Sequence, residues 1–544
     1  MPEKLLIILM SAPGAEPNPY GTFIILGLIL GFIFRSKIKK LIGSLLNRKP
    51  KPPKTQEPKP VEQSEFAIRY GFEMQLPSGA CVINNPFRGT LLIGSAGSGK
   101  SESVIEPIVY QAMIKNYSGI LYDFKFPTLT GKLEAAHNRV PPSPDGKPIK
   151  HYIVNFDRLE NSHRVNPLKP EYMPTSAYAW EYSESILSNL MPESIEKKDF
   201  WIRSAISLLA ATIWFLREEH PQFCTLPHAI NLLQTREQDL ISTLSRNIEV
   251  KDMITSIAGA IENKASEQVA GVLGTTQIAL NKINTPEVCW VLTGDDFNLD
   301  INDPEDPKFM SIGTNPGLAD AYSPVISLII TVALKQMNRQ GKHHSVIILD
   351  EAPTLYIPKL EIIPATGRSN KVALVYCAQD ISLIIDNYGK TKADVITSNL
   401  NNQIYMRSSS KETAHYVSEL FGKEDTYIHG YSNSTGEGSS TGGLFGTHSE
   451  NIGRAQSYSL QERYVIRPQE LLNFTEGEFV ATIVESPVPF YRNRFALHPD
   501  LTGVDLQEIH RERNVKENFL KIKRDIQNII NPREKSGGEY IVDQ

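Results

Sequence analysis

The chain has 544 residues, is 41% hydrophobic and 22% charged, and carries a net charge of −5; this is a globular composition too long for one core, so two or three domains are expected. Its four cysteines, Cys81, Cys224, Cys289 and Cys377, are far apart with no C-x-x-C spacing, which excludes a disulfide framework and a paired-cysteine zinc site. Residues 35–60 hold nine basic side chains and one acidic, Glu57, so the remaining body is more acidic than the whole. That excludes a broad nucleic-acid-coating surface and confines any DNA contact to a local channel.

In chain order, 1–19 is a short segment whose apolar part, Leu5 to Met10, is too short to cross a membrane alone. Tyr20 to Phe34 is 15 residues without a charge. As a helix it spans about 22 Å, and extension through Ile38, Leu41 and Ile42 with snorkelling lysines brings it to membrane thickness. Arg35, Lys37, Lys39 and Lys40 follow, which puts the C-terminal side in the cytoplasm. The expectation is a membrane anchor at 20–34 and a basic, proline-rich juxtamembrane linker at 35–60 able to touch anionic lipid. A cleaved secretory leader ending near Ala12 or Ala15 is the alternative.

The strand Thr90-Leu91-Leu92-Ile93 leads into Gly94-Ser95-Ala96-Gly97-Ser98-Gly99-Lys100-Ser101, a G-x4-G-K-S phosphate-binding loop. Its glycines let successive N–H groups turn around a phosphate, Lys100 reaches the β/γ oxygens, and the Ser101 hydroxyl serves Mg²⁺. The helix opening there adds its positive end. A second strand, Gly119 to Tyr122, ends in Asp123-Phe124-Lys125 at the edge where α/β sheets bind ligand. A third, His151 to Phe156, leads to Arg164-Val165-Asn166-Pro167-Leu168.

Helical patterning then takes over. Phe200 to Leu216 is long and apolar, but Arg203 interrupts it and no basic cluster flanks it, so a buried core helix is expected rather than a membrane span. Leu226 to Leu233 and Ala265 to Ile283 also read as helices, giving an all-α insertion at 176–285 between two parts of an α/β nucleotide-binding domain, 61–175 and 286–500. Strands are expected again at Val288 to Leu292 and Phe309 to Ile312, followed by a helix from Pro324 to Arg339.

Val346-Ile347-Ile348-Leu349 is a continuous apolar run, the signature of a central parallel strand, and it delivers Asp350-Glu351. Asp350 is the candidate Mg²⁺ residue, and Glu351 the group that orients or deprotonates the attacking water. This strand is expected directly beside that of the phosphate loop, with an inserted domain filling the roughly 250 residues between them. After the strand Val372 to Cys377, Gln379 is the candidate γ-phosphate sensor. Arg368 is the first candidate for an arginine finger given to a neighbouring subunit, and Arg407, after Gln403 to Met406, the second. Residues 430–459 are rich in Gly and Ser and are expected to form a flexible loop. Phe479 to Val484 closes the sheet, Gln507 to Pro532 forms a charged amphipathic helix, and the rest of 501–544 is a tail.

The anchor, the phosphate loop, Asp123-Phe124-Lys125, Asn166-Pro167-Leu168, the Phe200-Trp201 insertion, Asp350-Glu351, and Gln379 followed by Tyr388-Gly389 together resemble the TraG-type coupling proteins of type IV secretion. The resemblance covers most of 60–500. It implies a RecA-like P-loop NTPase core with an inserted all-α domain, a homo-hexamer at the bacterial inner membrane, ATP and Mg²⁺ as cofactors, and relaxase-bound single-stranded DNA as the cargo. The partners implied are the relaxase and its accessory DNA-processing proteins, met by the all-α domain, and the ATPases and inner-membrane components of the channel. Two departures stand out: the first of the family's two membrane helices is reduced to Leu5–Met10, and the Gly/Ser insertion at 430–459 is long.

The expected function is therefore an ATPase that couples a relaxase–DNA complex to a type IV secretion channel and drives DNA transfer in conjugation or mobilisation. Two alternatives stay open. An FtsK-type DNA pump shares anchor and motor but needs a DNA-reading winged-helix module, for which the roughly 40 residues beyond Asp500 are too few and too charged. In a recruitment receptor, ATP would drive assembly only.

Overall fold

The computed structural model describes residues 64–532 apart from 142–146, 197–198, 256–265, 440–447, 489, 497–501 and 511–512. The anchor expected at 20–34 and the linker at 35–60 lie outside the described residues.

A small antiparallel hairpin, β1 (Phe72–Gln75) with β2 (Ala80–Ile83), precedes the main sheet. That sheet takes β3 (Thr90–Ile93), β4 (Ser118–Asp123), β5 (Lys150–Asn155), β6 (Lys308–Gly313), β7 (Ser345–Leu349), β8 (Val372–Ala378) and β9 (Asn402–Met406). After the ribbon formed by β10 (Lys423–Ser439) and β11 (His448–Tyr464), it is completed by β12 (Glu478–Thr482) and β13 (Tyr491–Arg494). The spatial order is β13-β12-β9-β3-β8-β7-β4-β6-β5. All pairings from β9 to β5 are parallel, while β12 and β13 add antiparallel to one edge.

Parallel strands need crossovers that cover both faces, and the strands are accordingly apolar on both. Alternate residues feed two cores. Leu91, Ile93, Ile120, Tyr122, Ile347 and Leu374 join one that runs on into the helical domain. Leu92, Leu121, Val346, Ile348 and Val375 join the other, under the β1–β2 hairpin and the helices Glu106–Ile114 and Thr128–Arg139. The loop helix begins as a π turn, Ser101–Ile105. Pro107, which has no amide to donate to a residue one turn back, accounts for the irregular start.

The helical domain opens with Ser176–Leu190 and is centred on Phe200–Glu219, whose residues from Ser204 to Leu216 are all buried. Asp199 caps that helix, accepting from Ile202 N at 2.9 Å. Two described helices, Phe200–Glu219 and Pro316–Met337, are long and apolar enough to cross a membrane, yet 72% of the apolar window of each is buried within the protein. Burial of most of each apolar window within the protein makes them core helices.

The structure corrects four expectations. The loop strand and the Asp350 strand are not neighbours: β8 lies between β3 and β7, because the crossover from β7 through the helix Ile362–Asn370 returns toward β3. Val288 to Leu292 belongs to a helix, Pro286–Leu292, capped by Thr285 with proline at its first position; that start signal outweighs the β-branched run. The 430–459 segment falls mostly within the paired strands β10 and β11, each 17 residues long. Gly and Ser are weak strand formers by composition, but the cross-strand ladder is made by backbone. Finally, of the expected C-terminal helix only Val515–Ile530 is helical among the described residues.

The helix Val515–Ile530 packs back onto the rest of the protein. Its buried Ile522, Ile526, Ile529 and Ile530 keep the i, i+4, i+7, i+8 spacing of one helical face, and the last three join the core that includes the helical domain. Before it, an extended strap runs across the α/β part of the chain: Val504 N donates to Gly131 O at 3.1 Å, Ile509 N to Glu160 O at 2.7 Å, and Asn161 Nδ2 to Leu506 O and Gln507 O at 3.1 and 3.0 Å.

Candidate active site

The C-terminal ends of β3, β8, β7 and β4 stand in a row, and each delivers a polar group to the same edge. From β3 the chain turns into the phosphate loop. Gly94 N donates to Ala378 O at 3.1 Å, so the loop is stitched to β8 at the residue before Gln379, which is half-buried. Gly97 and Gly99 have φ of 68° and 89°, a region that other residues enter only at a cost. A β-carbon on Gly94 would stand 2.7 Å from Ser98 Oγ and 2.9 Å from the Met406 β-carbon. The glycines are therefore required by the turn and by close approach. Ser98 Oγ is buried without a hydrogen-bond partner among the described residues.

Lys100 is 6% exposed. Its ammonium donates to Gly94 O and lies 3.5 Å from Glu351 Oε1. Asp350, at the end of β7, is anchored through its backbone N to Tyr122 O at 3.2 Å. Glu351 follows in the left-handed region, φ 50°, ψ 50°, an outlier of the kind that concentrates at functional sites. The conformation is held by Thr354, whose N and Oγ1 donate to Glu351 O at 3.0 and 2.8 Å, while Tyr122 OH meets Thr354 Oγ1 at 2.9 Å.

Asp123, from β4, supplies a third carboxylate. It is fully buried, and its Oδ2 accepts from Thr130 N and Oγ1 at 2.8 and 2.9 Å. Burial raises its pKa. Burial, with the charges of Glu351 and Asp123, pushes Asp350 from its ordinary 3.8 up to about 7. Three carboxylates and one lysine at a buried edge form a site strained electrostatically toward cations.

The structure thus brings together the phosphate loop with Lys100 and Ser101, Asp350, Glu351 and Gln379. It does not bring Arg368 to them. Arg368 is exposed in the last turn of Ile362–Asn370, at the start of β8, while Gln379 follows its far end. Seven residues of strand separate the two by roughly 23 Å, so Arg368 cannot serve its own loop. Arg407 lies instead against its own loop: Nη2 donates to Ala96 O at 3.0 Å. Asn166 and Tyr388 are structural. Asn166 Nδ2 donates to Cys224 O at 3.0 Å, and the buried Tyr388 hydroxyl accepts from Ile357 N at 3.0 Å.

One contact had no signal in the sequence. Gly477 N, in the turn before β12, donates to Ser98 O at 3.0 Å, and Glu476 packs against Gly99. The antiparallel edge therefore grips the loop from the side opposite Asp350, through a turn whose residues carry no motif.

A sequence comparison with curated proteins returns no match. Solved structures of the bacterial conjugative coupling protein TrwB share the fold. Its unbound form aligns with a TM-score of 0.60 at 16% identity over 80% of this chain and 91% of that one. Its complex with ADP and Mg²⁺ aligns with 0.56 at 16% over 76% and 86%, and its complex with a non-hydrolysable ATP analogue with 0.55 at 16% over 79% and 88%. The model of the type IV secretory system conjugative DNA transfer family matches residues 55–513. The chain belongs to that family.

Proposed function

We propose that the chain is a membrane-anchored, hexameric ATPase that couples a relaxase-bound single-stranded DNA to a type IV secretion channel and drives its transfer. The observation that carries this is the row β3-β8-β7, which puts a complete phosphate loop, Gln379 and the Asp350–Glu351 pair at one sheet edge, in a chain of the conjugative DNA transfer family. The TrwB complexes with ADP, Mg²⁺ and an ATP analogue support ATP and Mg²⁺ as cofactors.

The residues fit a magnesium nucleotide. The Ser101 hydroxyl and the Asp350 carboxylate are the hard oxygen donors that Mg²⁺ prefers, and the loop's turn excludes side chains where backbone N–H groups must meet phosphate. Mg²⁺, when bound, neutralises charge building on the transferring phosphoryl group. Lys100 binds the β/γ oxygens, Glu351 takes the proton of the attacking water, and Gln379 reports the terminal phosphate. Arg368, too far for its own loop, completes a neighbour's site as the finger. The acidic body and basic linker support the bacterial inner membrane and anionic lipid as the setting, with DNA confined to the ring channel.

Lys100→Ala in the full chain should abolish conjugative transfer and lower DNA-stimulated ATP hydrolysis by roughly 10²–10³-fold or more while leaving membrane location and oligomer mass unchanged. Normal transfer by that variant would sink the motor. A wild-type hexamer with no DNA-dependent turnover would favour the receptor that uses ATP for assembly alone.

A further inference from the structure

The parallel register of β9 against β3 pairs Tyr405 with Ile93, so Arg407, two residues on, arrives beside Ser95 of the phosphate loop. The backbone fixes it there: Arg407 O accepts from Ser95 N at 2.7 Å and from Ser95 Oγ at 3.1 Å. Its side chain then runs along the loop. Nη2 donates to Ala96 O at 3.0 Å, Nε lies 3.5 Å from Ser95 Oγ, and a β-carbon on Gly97 would be 3.6 Å from Nη2.

No carboxylate pairs with Arg407 among the described residues. A guanidinium has five donors and is always charged; two are turned to the loop, and the charge is left without a counter-ion. Lys100, by contrast, lies 3.5 Å from Glu351, so part of its charge is balanced within the site. Lys100 marks the β/γ side by its reach, and its ammonium sits on Gly94 O. Arg407 lies on the same limb, two residues on.

We propose that Arg407 is a second phosphate-binding cation of the site, acting within its own subunit on the terminal phosphate of ATP. This assigns it a different task from Arg368, whose distance from its own loop fits donation to a neighbour. Arginine suits the task, since its planar fork binds phosphate oxygens in pairs. The proposal rests on the ATPase function, and its test separates the two.

Equilibrium binding of a fluorescent β,γ-imido ATP analogue and of fluorescent ADP would be measured on the full-length wild type, Arg407→Ala, Arg407→Lys and Lys100→Ala. Arg407→Ala should weaken the triphosphate analogue about 10-fold or more and ADP less than about 3-fold, and Arg407→Lys, which keeps the charge but not the fork, should recover only part of the difference. Mixing Arg407→Ala with Lys100→Ala subunits should restore no hydrolysis, because one site needs both cations from one chain. Unchanged affinity of Arg407→Ala for the analogue would overturn the proposal. So would an equal loss for both nucleotides, which would make Arg407 a brace for the loop's shape, and so would rescue on mixing, which would make it a finger for a neighbour. A wild type that binds neither nucleotide would remove the ATPase function and this proposal with it.

Discussion

The ligand edge of the sheet and the core of the helical domain are built on opposite terms. Six Asp, Glu, Lys or Arg side chains are buried among the described residues, and four of them, Lys100, Asp123, Asp350 and Glu351, stand at the edge; none lies between 176 and 292. The edge also holds Glu351 in a left-handed conformation. In the helical domain, by contrast, Ser204 to Leu216 are buried in a mostly apolar helix, and Thr212 Oγ1 and Ser207 Oγ donate to the carbonyls of Leu208 and Met253. Buried like charges and backbone strain each cost free energy, so the edge is kept for chemistry and held in shape by the sheet behind it. The core of the helical domain carries no such buried charge among the described residues and is held by apolar packing.

The sharpest way to break this contrast is at Glu351. Glu351→Gln should lower hydrolysis by roughly 10²–10⁴-fold, the usual contribution of a general base, with ATP binding retained. Stability should move by less than about 1 kcal/mol, because the lost attraction to Lys100 is offset by relief of repulsion on Asp350. Steady-state turnover and urea denaturation on the same samples measure both. A variant that still hydrolyses ATP, or one that unfolds as a core variant would, shows that Glu351 belongs to the scaffold.

Much of the edge was legible because its signals are local. A four-residue apolar strand followed by a glycine loop, or by paired acids, names itself at any position in the chain. What could not be read is which strand lies beside which. Nothing in Val372 to Ala378 says that it separates β3 from β7, and Arg407 reads as a second candidate finger for a neighbouring subunit until the β9 register sets it on Ala96 of its own loop. The misread elements fail for a related reason. Val288 to Leu292 has strand-like residues, while its helix start lies in Thr285 and Pro286 just before it. The β10–β11 ribbon is specified by backbone pairing between residues up to 41 positions apart, Lys423 with Tyr464, which composition does not encode.

The two regions should also answer pH in opposite directions. Asp350 ionises near 4 in the unfolded chain and at about 7 when folded. Between those values the folded state holds the extra proton, so its contribution to stability falls as pH rises and is lost above 7. The buried His228 of the helical domain has its pKa lowered by burial, against the pull of Asp525. It ionises in the unfolded chain first, so its contribution is lost as pH falls below the unfolded value of about 6.5. In chelator and without nucleotide, Asp350→Asn should raise stability at pH 8 by on the order of a few kcal/mol and do little at pH 4. Urea midpoints across that range measure it, and an equal effect at both ends would mean that the Asp350 carboxyl is not held protonated by its surroundings.

The smallest effect tests whether the contrast has a physical boundary. Arg246 Nη1 and Nη2 donate to Ile529 O and Ile530 O at 3.0 and 2.9 Å, satisfying carbonyls that the end of the C-terminal helix would otherwise leave open. Arg246→Ala should cost about 1 kcal/mol and speed hydrogen exchange within Val515–Ile530, leaving ATP turnover unchanged if the two regions are independent. The strap ahead of that helix is bonded to Gly131 and Glu160 of the motor, which makes the alternative concrete. Gly131 follows Thr130, whose amide and hydroxyl hold Asp123, so loosening the helix has a covalent and hydrogen-bonded route to the third carboxylate. A change in turnover in Arg246→Ala would mean that the strap carries strain from the helical domain to the ligand edge, and that recognition and hydrolysis are coupled through the last 40 residues of the chain rather than through the sheet.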